Sequence, residues 1–83
     1  MAKDKDSDSV FREEFIRRTK EARIQVGLTQ QEMADILKTD QGTYKQYETR
    51  SVLPHRHVAA FCAATHVSAS WLFTGRARKY AAE

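Results

Sequence analysis

Between Thr29 and Glu48 the apolar residues fall into two short helical registers. Met33, Ala34 and Leu37 recur at three- and four-residue spacing and share one face, while Gln31, Glu32, Asp35 and Lys38 fall on the other. Thr29 and Glu32 stand three apart at the head of this run. That is the spacing of a capping box, in which the hydroxyl accepts a first-turn amide and the carboxylate reaches back to the cap's own amide. A helix is therefore predicted from Gln30. The pattern breaks over Lys38-Thr39-Asp40, Asp40 suits an N-cap, and a second helix is predicted from Gln41 to Thr49 with Tyr44 and Tyr47 facing inward. Isolated helices below roughly 12–15 residues are marginal in water, so both must dock on the rest of the chain. The small Ala34 lets the second helix cross closely over the first, as two helices joined at a steep angle by a tight turn require.

The flanking pattern supplies what they dock on. A long helix is predicted from Val10, with Ser9 as cap and Glu13 and Glu14 in the first turn, where acids suit the helix dipole. Phe11, Phe15, Ile16, Thr19, Ala22 and Val26 form its inward stripe, and Arg12, Arg17, Arg18, Lys20 and Glu21 face water or a partner. Gly27 ends it with a left-handed cap. After the second short helix, Thr49 to Pro54 is a loop, and Pro54 stands near the start of a fourth helix. Val58, Phe61, Cys62 and Thr65 give that helix its inward face, and Ala59, Ala60, Ala63 and Ala64 let neighbours approach. His66-Val67-Ser68 is the next break, Ser68 caps a last helix over Ala69 to Phe73 with Trp71 and Leu72 sealing the core, and Gly75 stops it. The expected fold is all-α with five helices over residues 10–75. Met1 to Ser9 has almost nothing to bury and is expected to be disordered, and the basic tail from Arg76 to Glu83 is expected to fray.

Composition narrows this little. At 83 residues the chain holds one domain with a modest core. A formal charge of +3 permits a polyanionic partner without demanding one. Distribution matters more: from Leu28 to Ser51 the three basic residues Lys38, Lys45 and Arg50 face the four acids Glu32, Asp35, Asp40 and Glu48, so this stretch is slightly acidic. The single cysteine excludes an internal disulfide framework and suits a reducing cytoplasm. No apolar run approaches the length of a membrane span, and the N-terminus is too polar for a signal peptide. Cys62 and His66, four apart, could with His55 and His57 suggest a metal site, but Cys62 falls on the apolar stripe and reads as a small core residue. No phosphate loop, nucleophile elbow or paired carboxylates appear, so neither an enzyme, a metal, a cofactor nor a small-molecule effector is expected.

The string ARIQVGLTQQEMADIL, then Gln41 to Glu48, then VSASWLFTG, resembles the DNA-binding domain of the lambda-repressor-like, Cro-type helix-turn-helix family, over about Phe15 to Gly75. Arg23, Gly27-Leu28-Thr29-Gln30, Glu32, Ala34, Glu48 and Trp71-Leu72 occur in that family's order. The resemblance implies a small transcriptional regulator, a repressor in function class, bound to double-stranded DNA. It also implies an ion pair between Arg23 and Glu48 that ties the first helix to the recognition helix. Base contacts would come from the Gln41, Gly42, Thr43 and Gln46 positions: the Gln amides suit adenine N6 and N7, and Thr43 a thymine methyl. Backbone contacts would come from Gln30, Gln31, Lys45 and Arg50. A domain this small reads few base pairs, so the family's pairing of two copies on a near-palindromic operator is expected here. Val52, Leu53 and Phe73, which have no place on an inward stripe, are the expected homodimer contacts. Three departures leave an alternative open: Lys38 where the family has a turn glycine, Asp40 close to the phosphates, and Gly42 without a side chain. With the acidic motif, they also suit a helix-turn-helix fold used for protein–protein interaction.

Overall fold

The structure, a computed structural model, describes residues 7–80. Five helices follow one another, α1 (Ser7–Gln25), α2 (Gln30–Leu37), α3 (Gln41–Tyr47), α4 (His55–Thr65) and α5 (Ala69–Thr74), with no strand among the described residues beyond one isolated bridge between Val67 and Tyr80. α1 starts at Ser7, three residues before Val10, and Ser9 lies inside it rather than capping it. Nothing in Ser7-Asp8-Ser9 breaks a helix, and Asp8 sits in the first turn where the dipole favours an acid. The expectations for Met1 to Asp6, and for the last three residues, fall outside the described residues.

One core holds the helices. Phe15 and Ala22 of α1, Met33, Ala34 and Leu37 of α2, Tyr44 and Tyr47 of α3, Phe61 of α4, and Trp71 and Leu72 of α5 are buried together with Leu53 and Val67 from the links. Two buried hydroxyls, those of Thr19 and Thr65, bond the carbonyls of Phe15 and Phe61 four residues back, so neither leaves an unsatisfied polar group in the core. Leu53 is a correction: expected at a dimer surface, it is 3% exposed and belongs to the core, because the loop after α3 turns inward before Pro54. Phe11 departs the other way and is 41% exposed at the edge of the α1 stripe.

Arg18 is the second correction. Expected to face outward, it is buried, its Nε donating to the Leu72 carbonyl at 2.8 Å and its Nη2 to the Phe73 carbonyl at 3.1 Å. Those carbonyls belong to the last turn of α5, where a helix leaves acceptors without intrahelical partners and a cation is favoured by the dipole. Gly75 completes the arrangement with φ of 72°, and a Cβ there would stand 2.7 Å from Arg18 Nη1, so a side chain is opposed by both backbone and space.

The tail does not fray before Tyr80. It folds back so that the Ser68 amide donates to the Lys79 carbonyl at 2.7 Å and the Ser68 hydroxyl to that of Arg78 at 2.6 Å. Lys79 Nζ lies 2.7 Å from Glu21 Oε2 and 4.7 Å from the centre of the Trp71 ring, and the Tyr80 hydroxyl donates to Gln25 Oε1 at 2.8 Å. The tail thus clips the end of α1 to the start of α5. No described helix is long and apolar enough to cross a membrane.

Candidate functional site

The two motif helices are each built by a cap. Thr29 accepts the Glu32 amide at 3.0 Å while Glu32 Oε1 accepts the Thr29 amide at 2.8 Å, the complete capping box, and α2 starts at Gln30. It ends at Lys38, which takes the left-handed conformation (φ 61°) and sends its amide back to Asp35 O at 3.1 Å, while the Thr39 amide reaches Ala34 O at 2.9 Å. Lys38 therefore keeps the turn geometry that glycine would serve more cheaply. Asp40 then caps α3 by accepting the Thr43 amide at 2.6 Å. That amide, and after it the Thr43 hydroxyl, hold the Asp40 carboxyl below the usual carboxylate range.

α3 buries Tyr44 and Tyr47 and turns Gln41, Gly42, Lys45 and Gln46 to the outside, with Thr43 half-buried beside its cap. Gln41, Lys45 and Gln46 are exposed and make no side-chain hydrogen bond or ion pair among the described residues. Beside Gly42 a Cβ would find only Asp40 Oδ1, at 3.6 Å, so this place in the row is open rather than crowded. The helix ends at Tyr47, short of Thr49, because the amides of Thr49, Arg50 and Ser51 all gather on the Gln46 carbonyl and tighten the chain. Arg50 is exposed just past that turn.

Behind the outward face lies a polar cluster centred on Glu48, whose side chain is 1% exposed. Oε2 accepts Arg23 Nε at 2.6 Å and the Tyr44 hydroxyl; Oε1 accepts Arg23 Nη2 at 3.0 Å and Gln30 Nε2 at 3.1 Å. Two donors on each oxygen fill the acceptor capacity of an ionised carboxylate. Burial pushes the Glu48 carboxyl up, but the bonds from Arg23, Tyr44 and Gln30 outweigh it and hold the group below its ordinary range. The same bond raises the Arg23 guanidinium, and burial followed by the bond to Glu48 raises the Tyr44 phenol. Arg23 Nη1 also donates to the Leu28 carbonyl at 2.7 Å, so the link between α1 and α2 is tied to the same hub.

The candidate residues are thus divided. Gln30, expected to be free for a phosphate, gives one N–H to Glu48, and Gln31 donates to Asp35 at 2.9 Å on the exposed face of α2. The Tyr44 hydroxyl was missed in the sequence, although its i to i+4 spacing from Glu48 on a helix is a readable signal. Glu48 is neutralised by Arg23, so the outward surface of the motif carries Lys38, Lys45 and Arg50 against Glu32, Asp35 and Asp40, with exposed Arg56 at the start of α4 beside them. Phe73 is 39% exposed and, with Val10 and Phe11, lines an open groove between α1 and α5 whose rim holds Glu14, Arg18 and Arg76; Val52 is 36% exposed elsewhere. Cys62 is half-buried against the core, and burial raises its thiol. No group of three or more His, Cys, Asp or Glu among the described residues is placed to hold a metal ion.

Residues 20–72, more than half of the chain, match the family model described as helix-turn-helix. A comparison with curated proteins finds no match.

Proposed function

Since the chain belongs to the helix-turn-helix family of the lambda-repressor-like kind, a family of DNA-binding transcription regulators, we propose that it reads double-stranded DNA sequence-specifically and represses by occupying its site. The observation that carries the reading is the outward row of α3: a capped helix presenting Gln41, Lys45 and Gln46 with no competing partner among the described residues, beside a buried and neutralised Glu48. In this reading α3 lies in the major groove, Gln41, Thr43 and Gln46 read base edges, and Lys45 and Arg50 hold phosphates. Gly42 lets the helix approach the bases closely.

The test is a binding measurement on the duplex that the protein itself selects from a random pool. Gln46→Ala should cost about 1–3 kcal/mol on that duplex and relax preference at one or two base pairs, whereas Lys45→Ala should weaken every duplex alike. A protein that binds no duplex with a salt-dependent affinity is not a DNA reader, and the protein-interaction reading takes over.

The same reading asks for two copies. Val10, Phe11 and Phe73 are exposed apolar side chains that line one groove, and Leu53 no longer competes for the role. Glu14 and Arg76 on the rim of the same groove supply opposite charges that a second copy could pair with. Three side chains fall well short of the roughly 800 Å² per partner of a stable complex, so pairing is weak in the free protein and completed on a near-palindromic operator with half-sites about 34–36 Å apart. Phe73→Glu should abolish cooperative binding to two half-sites and leave single half-site binding intact; sedimentation as a monomer both free and on a two-half-site duplex defeats the pairing.

A further inference from the structure

Two features that ordinarily call for an explanation meet in the groove between α1 and α5, a run of exposed large apolar side chains and a buried charge. The apolar part is built on the core. The Phe15 ring, itself buried, stands edge-on to Phe11 at 5.5 Å and to Phe73 at 4.9 Å, so the two outer rings rest on a fixed one. The charge is Arg18, whose side chain is 7% exposed. Its Nε and Nη2 are spent on the Leu72 and Phe73 carbonyls, but Nη1 has no hydrogen bond among the described residues. Glu14 Oε1 is 3.7 Å from it and bonds Arg17 instead. Burial pushes the Arg18 guanidinium down by more than Glu14 raises it, so this cation is short of a partner. An adjoining groove shares Arg18 and Arg76 and adds Arg17 and Glu21, and Glu21 is held by Lys79. Cations therefore outnumber acids around the rim.

We propose that this groove is an effector site for a small amphipathic carboxylate, whose apolar body lies over Val10, Phe11 and Phe73 and whose head group meets Arg18 Nη1 and Arg76. Its occupancy keeps a second copy off the same face, because pairing would bury the same apolar side chains. The site stands on the groove alone, whereas this consequence rests on the pairing reading above. The cavity volume of about 540 Å³ is that of a small-molecule site, roughly 300–1,000 Å³. A carboxylate gives the guanidinium charge-assisted bonds, which strengthen where water is scarce. An amine of the same body would meet the wrong sign. The body matters as well, since each methylene removed from water is worth roughly fourfold in affinity. The contributing residues come from positions 10–18 and 73–76, so no local motif announces the site in the sequence.

The experiment measures binding to the full chain by calorimetry and by amide NMR shifts, with octanoate below its critical micelle concentration as the probe. Butyrate, octanol and octylammonium are the comparisons. Octanoate should bind at least tenfold more tightly than each of them, on the order of one charge-assisted bond or two buried methylenes, with shifts centred on residues 10–18 and 73–76. Arg76→Ala and Phe73→Ser should each weaken it roughly five- to tenfold. Both side chains are exposed, so these variants carry the test even where Arg18→Met is poorly folded. Octanol binding as well as octanoate shows a merely apolar groove, and octylammonium binding as well shows that Glu14 sets the sign. Either result overturns the proposal, as does no binding or a shift pattern elsewhere. Saturating octanoate should also remove cooperative binding to a duplex with two half-sites and leave the single half-site Kd within about twofold, since the groove lies away from α3. Cooperativity that survives saturation overturns the exclusion of the second copy. A parent that binds two half-sites without cooperativity removes the pairing reading and the exclusion with it, while calorimetry still decides the site.

Discussion

Lys38 holds a left-handed backbone that a side chain opposes, at a turn where the Asp35 and Ala34 carbonyls require it. For an L-residue that conformation costs roughly 1–2 kcal/mol, and Lys38→Gly should raise the denaturant midpoint by about that energy less the extra entropy of an unfolded glycine. An unchanged midpoint would mean that the turn is unstrained. The missing glycine was legible in the sequence, but whether the turn would change shape or bear the strain was not, because the deciding groups are carbonyls positioned by α2. Glu48 gives a second test at the same scale. Glu48→Ala strands the Arg23 guanidinium, 12% exposed, and the fully buried Tyr44 hydroxyl, and should cost about 3–5 kcal/mol. Arg23→Met with Glu48→Leu should recover most of that loss, and adding Tyr44→Phe more, since only the part-buried Leu28 carbonyl and Gln30 amide then lose a partner. Acid acts on the same group: its carboxyl is held low in the folded chain, so the unfolded chain takes up the proton first as pH falls. Its contribution is whole above the ordinary value of about 4.3 and is lost as pH drops through the folded value. A Glu48→Gln variant, less stable at neutral pH, should therefore show a flatter fall in urea midpoint between about pH 5 and pH 3.

At the scale of elements, the period of apolar residues located all five helices, while their ends and anchors depended on partners far along the chain. α1 shows why. Positions 15, 18, 19 and 22 form one continuous helical stripe, so the spacing itself put Arg18 inward; the rule that charges stay outside led the other way. The rule fails here because α5 brings two open carbonyls to the guanidinium, and no local pattern announces a partner 54 residues distant. The tail was misread for the same reason, its lysine being held by Glu21 and Trp71 from other elements. Arg18 and its neighbour Arg17 make a matched pair for testing this. Arg17 is exposed and bonded to Glu14 on its own helix, so Arg17→Ala should leave the unfolding midpoint unchanged within error. Arg18→Met keeps the apolar stem but abandons the Leu72 and Phe73 carbonyls, and should cost about 1–3 kcal/mol in urea unfolding. Equal midpoints for the two variants would show that α5 is held by Leu72 and Trp71 alone.

For the whole molecule, the formal charge of +3 says little about where a polyanion would sit, and the count along the motif pointed away from it. Folding changes the balance by removing one acid: Glu48 is spent inside on Arg23, which leaves three exposed cations and three exposed acids on the motif, with Arg56 alongside. That step was beyond the sequence because it depends on a contact between residues 25 positions apart. Asp40 is now the acid closest to the reading row, its carboxyl held below the usual range by the Thr43 bonds, and it would face phosphates if α3 enters a major groove. Asp40→Asn keeps a good N-cap and removes that charge. It should raise affinity for selected and scrambled duplexes together, with a gain that is largest at low salt and shrinks as the Debye length falls toward about 8 Å at physiological ionic strength. A different outcome has its own meaning: if the selected duplex weakens while the scrambled one strengthens, Asp40 accepts a bond from cytosine N4 and is itself a reader. If affinity for both duplexes is unmoved at every salt concentration, the start of α3 does not lie near a phosphate, and the placement of this helix in the groove is wrong.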